Sequence, residues 1–105
     1  MGEVTDNVRA GDLAQTLRTL SRVIHERGSA DPAESYTAKL LKGELDQLLK
    51  KIGEESTELV LAVKDDDHDH IRYEAADVLY HLLVVLERSG ISLEELAGEL
   101  DARMK

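Results

Sequence analysis

The sequence predicts an all-α protein, on three observations. A single proline and few aromatic residues sit beside abundant Leu, Glu, Lys and Ala, a balance that favours helices over sandwiches or barrels. Apolar residues recur at spacings of three and four rather than alternating. Capping residues and glycines punctuate the resulting stretches where helices would begin and end. The expected architecture is a helical bundle of about four main helices, completed by homodimerisation.

Met1 to Gly11 is polar and patternless, so residues 1–11 read as a flexible arm and 12–105 as a single domain. Asp12 caps the first helix, which carries Leu13, Leu17, Leu20, Val23 and Ile24 at helical spacing. Gly28 stops it, as a residue that tolerates a left-handed conformation. After a loop through Pro32, Ser35 caps a short helix bearing Tyr36, Lys39, Leu40 and Leu41, and Gly43 ends it. A long helix from about Glu44 to Lys64 follows, with Leu45, Leu48, Leu49, Ile52, Leu59 and Val63 as its apolar stripe. Gly53 interrupts it at a cost of roughly 1 kcal/mol relative to Ala, which calls for close backbone approach, a bend or chance.

Asp65 to Asp69 forms a turn and helix cap before a helix from about His70 to Arg88. Leu79, Leu82, Leu83, Val84, Val85 and Leu86 wrap nearly its whole circumference, so it must be buried on several sides. A chain of 105 residues has little material to cover that surface, which implies a homo-oligomer, most simply a dimer. Gly90 ends this helix. Ser92 and Glu95 make a capping box, with Ile91 and Leu96 as a hydrophobic staple, for a last helix to about Met104.

Composition excludes several functions. Net charge is −9, and both nucleic acid and anionic membranes require a basic face. Without cysteine there is no thiol nucleophile, disulfide framework or thiolate zinc site. No segment has transmembrane length and the N-terminus lacks a signal-peptide core, so a cytoplasmic protein is expected.

The most informative residues are acidic. Glu55 and Glu58 share a face of the long helix, and Glu74 and Asp77 share a face of the next. If the two helices are antiparallel neighbours, the pairs meet at the rim of their interface, where unpaired charge is costly. Pooled oxygens of this kind suit magnesium or manganese better than zinc. A salt-bridged surface is the alternative, with Lys50–Glu54 and Lys51–Glu55 at i,i+4, although that order is the weaker one and leaves Glu58, Glu74 and Asp77 without local cations. His81, one turn beyond Asp77, either contacts substrate or carboxylates or makes a structural hydrogen bond. Lys50 and Lys51 either hold phosphates or are ordinary surface lysines. Asp65, Asp67 and Asp69 start like an EF-hand loop, but His70 and Ala76 occupy positions that need Gly and Glu. No Glu has a His three residues later, which removes a di-iron bundle.

Ser35-Tyr36-Thr37, Lys50-Lys51-Ile52-Gly53-Glu54-Glu55, Glu58, Glu74-Ala75-Ala76-Asp77 and Tyr80-His81-Leu82-Leu83 together resemble the phosphoribosyl-ATP pyrophosphatase family, across roughly Leu13 to Arg103. The acidic pattern alone would indicate only the all-α nucleoside-triphosphate pyrophosphatases. The Ser-Tyr-Thr and Lys-Lys-x-Gly-Glu-Glu segments narrow it. The resemblance implies magnesium-dependent hydrolysis of 1-(5-phosphoribosyl)-ATP to 1-(5-phosphoribosyl)-AMP and pyrophosphate, the second step of histidine biosynthesis, by a helical homodimer. It implies metal ligands at Glu55, Glu58, Glu74 and Asp77, and substrate contacts from Lys50, Lys51, Tyr36, Lys39 and His81. Glu54 is the candidate to orient or deprotonate the attacking water, a role one of the four ligands could equally take. Some relatives carry a fused cyclohydrolase with a cysteine-containing zinc site, for which this chain has neither length nor cysteines, so a stand-alone form is expected.

Two other functions compete. A house-cleaning pyrophosphatase would share the metal chemistry with a different base pocket, and substrate profile separates it. A non-enzymatic acidic helical module would bind no magnesium. If Glu58 is a ligand, Glu58→Gln abolishes turnover and leaves helicity and dimerisation intact; near-normal activity would remove Glu58 from the metal site.

Overall fold

The computed structural model describes residues 5–105, and among them every regular element is an α-helix. There are five: α1 Leu13–Arg27, α2 Tyr36–Lys42, α3 Leu45–Lys64, α4 His68–Ser89 and α5 Leu93–Arg103. The expectation of four main helices counted the seven-residue α2 as minor. Residues 1–4 of the expected arm lie outside the described residues, and residues 5–11 carry no helix.

Four of the five N-termini are capped by the side chain just outside the helix. Asp12 accepts from the Gln15 amide, Ser35 from Ala38, Asp67 from His70 and Ser92 from Glu95. Each bond satisfies one of the amides that has no partner within its own helix. Because the cap is Asp67, α4 starts two residues before the expected His70. Asp66 takes the positive φ, 54°, that lets the chain turn tightly between α3 and α4. So short a link makes α3 and α4 antiparallel neighbours, and they form the principal helix pair.

The helix ends differ from one another. At α4, Gly90 sits at φ 75°, the Gly90 amide donates to Glu87 and the Ile91 amide to Leu86, which closes the helix in a left-handed cap that glycine allows without strain. Gly28 was expected to do the same, but its φ is −57°. There α1 instead unwinds through tighter turns, Ser29 to Glu26 and Ala30 to Arg27, so no left-handed residue is needed. Gly53 leaves α3 unbroken, and no described atom outside the helix lies within 4 Å of where its Cβ would be.

The core joins four helices: Ile24 from α1, Leu40 from α2, Leu48 from α3 and Leu83 with Val84 from α4. Thus α4 packs on α1, α2 and α3, which accounts for much of its all-round apolar surface within one chain. Arg88 reinforces this arrangement by donating to the Leu40 carbonyl at 2.8 Å, satisfying the C-terminal turn of α2 from α4. The expected stripe of α3 divides in two. Leu48 and Ala62 are buried and Leu59 half-buried, whereas Leu45, Leu49 and Val63 are exposed together with Val60.

Candidate active site

The turn between α3 and α4 sets the register that brings the acidic pairs together. Glu55, Glu74 and Asp77 each offer a carboxylate oxygen, and these three oxygens lie within 4.8 Å of one another. Glu58 is half-buried and outside this trio, yet its charge acts on Glu74. The depths are unequal. Glu74 has no exposed surface, Asp77 is half-buried, and the Glu55 side chain keeps 12% exposure.

Glu74 is the outlier. Neither of its carboxylate oxygens has a hydrogen-bond partner, and both are sealed from solvent. Burial pushes this carboxyl above its ordinary value, with the charges of Asp77, Glu55 and Glu58 adding to the rise and His70 opposing it. Hydrogen-bonded networks are the usual solution for buried carboxylates, and here the neighbours are more carboxylates. A divalent cation is the partner that satisfies such a set, because it compensates several anions at once and takes oxygen donors only. The residues present therefore fit a hard divalent ion.

Beside the trio, Lys51 Nζ approaches Glu55 Oε1 at 3.6 Å. The Tyr36 ring oxygen, then Glu55 and Glu54, raise the Lys51 ammonium above its usual value against the lowering effect of burial, so Lys51 stays charged. Burial likewise raises the Tyr36 phenol, opposed by Lys51. Tyr36, Lys39, Lys50 and Lys51 line one cavity of about 260 Å³ with Leu40, Glu44, Gln47 and Glu54. Three ammonium groups from two helices thus converge beside an acidic cluster, a pairing that suits an anion bridged to a cation.

The Ser35-Tyr36-Thr37 segment acquires a structural meaning. Ser35 caps α2, while the next two side chains reach α4: Tyr36 bonds to His81 Nε2 at 3.2 Å and Thr37 to the Tyr80 hydroxyl. His81 is buried and its Nδ1 lies 2.8 Å from the Asp77 carbonyl. A carbonyl only accepts, so Nδ1 carries a proton, and the Tyr36 hydroxyl donates to Nε2 in the tautomer that leaves. Both ring nitrogens are then engaged, with the ring fixed to the backbone of a residue in the trio. The Tyr36 and Tyr80 rings stack at 6.4 Å and 19°. Thr37 and Tyr80 were not among the expected site residues, since a bond across 43 positions leaves no local signal; their only trace was membership of the quoted segments.

Comparison with known proteins shows the family to which this sequence is similar. The family described as "Phosphoribosyl-ATP pyrophosphohydrolase" matches residues 17–104. A protein of Rhizobium rhizogenes named phosphoribosyl-ATP pyrophosphatase is 49% identical over 88 residues, covering 84% of this chain and 85% of its own. One of the same name from Halobacterium salinarum is 47% identical, covering 87% of this chain and 99% of its own. The histidine biosynthesis bifunctional protein HisIE of Bacillus subtilis is 40% identical over 95 residues, which span 90% of this chain and 46% of that protein.

The raised Glu74 carboxyl predicts a pH dependence in metal-free protein. A carboxyl raised by folding binds more protons in the folded state than in the unfolded one, so stability falls as pH rises from about 4.5 through the elevated folded value. In chelator, the wild-type melting temperature should drop across that window, and Glu74→Gln should flatten the drop. At neutral pH the variant should melt at a higher temperature than the wild type. Parallel pH profiles for the two proteins would contradict the assignment.

Proposed function

The chain belongs to the phosphoribosyl-ATP pyrophosphohydrolase family, and on that premise we infer that it hydrolyses 1-(5-phosphoribosyl)-ATP to 1-(5-phosphoribosyl)-AMP and pyrophosphate, the second step of histidine biosynthesis, with magnesium held at the acidic cluster. The observation that carries the metal reading is Glu74, whose two buried oxygens have no partner. Carboxylates that only solubilise a surface face water, so this one speaks against a non-enzymatic acidic module.

Glu55, Glu74 and Asp77 would hold the ion, with Glu58 at the edge of the set; manganese is the expected substitute. An ion held by these residues would supply charge neutralisation for the pyrophosphate leaving group and polarisation of the phosphoryl group. Lys50, Lys51 and Lys39 gather the phosphate oxygens in the cavity they share. Lys51, held charged beside Glu55, sits where the cation site and the anion cavity meet. Tyr36 closes the same cavity, its hydroxyl fixed by His81 so that the ring keeps one orientation toward the substrate. In this scheme His81 acts through Tyr36 and Asp77. Glu54 lines the lysine cavity and is exposed, which suits a carboxylate that orients the attacking water and takes its proton.

A homodimer completes the proposal, built on residues 12–105 as one domain with 1–11 as an arm. Leu45, Leu49, Val60 and Val63 are exposed on α3, and at about 100° per residue they fall within a sector of about 60°. That is a second apolar stripe, distinct from the one turned to the core, and a second copy of the chain would cover it. No helix among the described residues is long and apolar enough to cross a membrane, and a cytoplasmic site of action is part of the proposal.

Pyrophosphate release should require magnesium and favour phosphoribosyl-ATP over ATP, dUTP and dCTP. Preference for an ordinary nucleotide would move the chain to a house-cleaning role, and absence of turnover of any substrate by folded protein would overturn the enzymatic reading. Leu49→Asp should convert the dimer into a helical monomer in sedimentation; an unchanged sedimentation coefficient would rule out this stripe as the interface.

A further inference from the structure

Phosphoribosyl-ATP differs from ordinary nucleoside triphosphates by a ribose 5-phosphate on its base. This places a second anionic group at the end of the molecule remote from the triphosphate. The lysine cavity accounts for one end only. A specific site needs a second pole, and its place must be reachable from the same carboxylates.

A second cavity, of about 410 Å³, touches the trio at Asp77. Its walls include Leu20, Ala76 and Tyr80, with Thr5 and Val8 from the segment before α1, and it is mostly apolar. Arg72 is the one cation among the described residues that line it. The stacked tyrosines mark the boundary between the two cavities, because Tyr80 lines this one and Tyr36 lines the lysine cavity. Both rings are pinned at their hydroxyls, Tyr80 to Thr37 and Tyr36 to His81, so the partition is fixed. Arg18 and Arg22 line a different cavity that shares no residue with the carboxylates.

Arg72 is placed for the task. It precedes Asp77 by five residues on α4, about 7.5 Å along the axis, and both residues line this cavity. It pairs with Asp69 at 3.3 Å, and both side chains are largely open to solvent, at 41% and 61%. Exposed pairs of this kind hold weakly, whereas a phosphate takes the guanidinium fork through two parallel hydrogen bonds.

We propose that this cavity receives the phosphoribosyl end of the substrate and that Arg72 is a specificity-determining residue, holding the 5′-phosphate that ATP lacks. The inference rests on phosphoribosyl-ATP being the substrate. Pyrophosphate and nucleoside then lie on opposite sides of the tyrosine pair, with the scissile bond over the trio. The apolar wall of Leu20, Ala76 and Val8 supplies contact for the sugar and base without adding charge.

The test compares wild type, Arg72→Ala and Arg72→Lys in steady-state kinetics on phosphoribosyl-ATP, with ATP and ribose 5-phosphate as competing ligands. Arg72→Ala should raise KM roughly 10- to 100-fold, the loss of a charge-assisted contact, and leave kcat nearly unchanged. Arg72→Lys should recover part of the loss. Inhibition by ribose 5-phosphate should disappear in Arg72→Ala while the inhibition constant of ATP stays within about twofold, because ATP carries no second 5′-phosphate for Arg72 to hold. An unchanged KM in Arg72→Ala, or an equal weakening of ATP, would overturn the role of Arg72 while leaving the reaction assignment standing. Failure of the wild type to turn over phosphoribosyl-ATP would overturn both.

Discussion

An ionised carboxylate sealed from water with no donor for either oxygen costs several kcal/mol, and a domain of this size has roughly 5–15 kcal/mol in total to spend. Glu74 is in that position. Its nearest charged neighbours in the trio, Glu55 and Asp77, make matters worse rather than better. The arrangement is tolerable only if the carboxyl is protonated or a cation is present, and a cation also relieves the neighbours. Much of the surrounding architecture, from the tight Asp65–Asp67 turn to the antiparallel packing of α3 on α4, serves to hold those oxygens together.

The second constraint is the clamp between α2 and α4. A seven-residue helix is too short to be stable by itself. Here Ser35 caps it, Leu40 enters the core, Arg88 satisfies its last turn, and Tyr36 and Thr37 bond across to α4. These contacts stabilise α2 and also fix where Tyr36 and Lys39 stand relative to Asp77. Loosening the clamp would shift the lysine cavity against the acidic trio.

Much of this was legible in the sequence because local rules act on adjacent residues. The caps at Asp12, Ser35 and Ser92 and the stop at Gly90 are short-range devices, and each is where the pattern predicted it. The meeting of Glu55 with Glu74 and Asp77 followed from helical spacing and one short turn. Depth was not legible. Glu74 was expected at the rim of the interface and lies fully inside, since a helical wheel records direction but not how closely the neighbouring helix approaches. The same limit explains α3, where Leu45, Leu49 and Val63 were grouped with Leu48 although they face away from the core. Gly28 misled for a different reason: a glycine after a helix permits a left-handed turn, and the chain took a tighter right-handed one instead.

The account stands on the need of the Glu55–Glu74–Asp77 group for a divalent cation. Calorimetric titration of magnesium into chelator-treated protein, without nucleotide, measures that need directly. The account predicts saturable binding to the folded protein with a rise in melting temperature that grows with magnesium concentration. A flat titration of folded protein, with a melting temperature indifferent to magnesium and manganese, would contradict it.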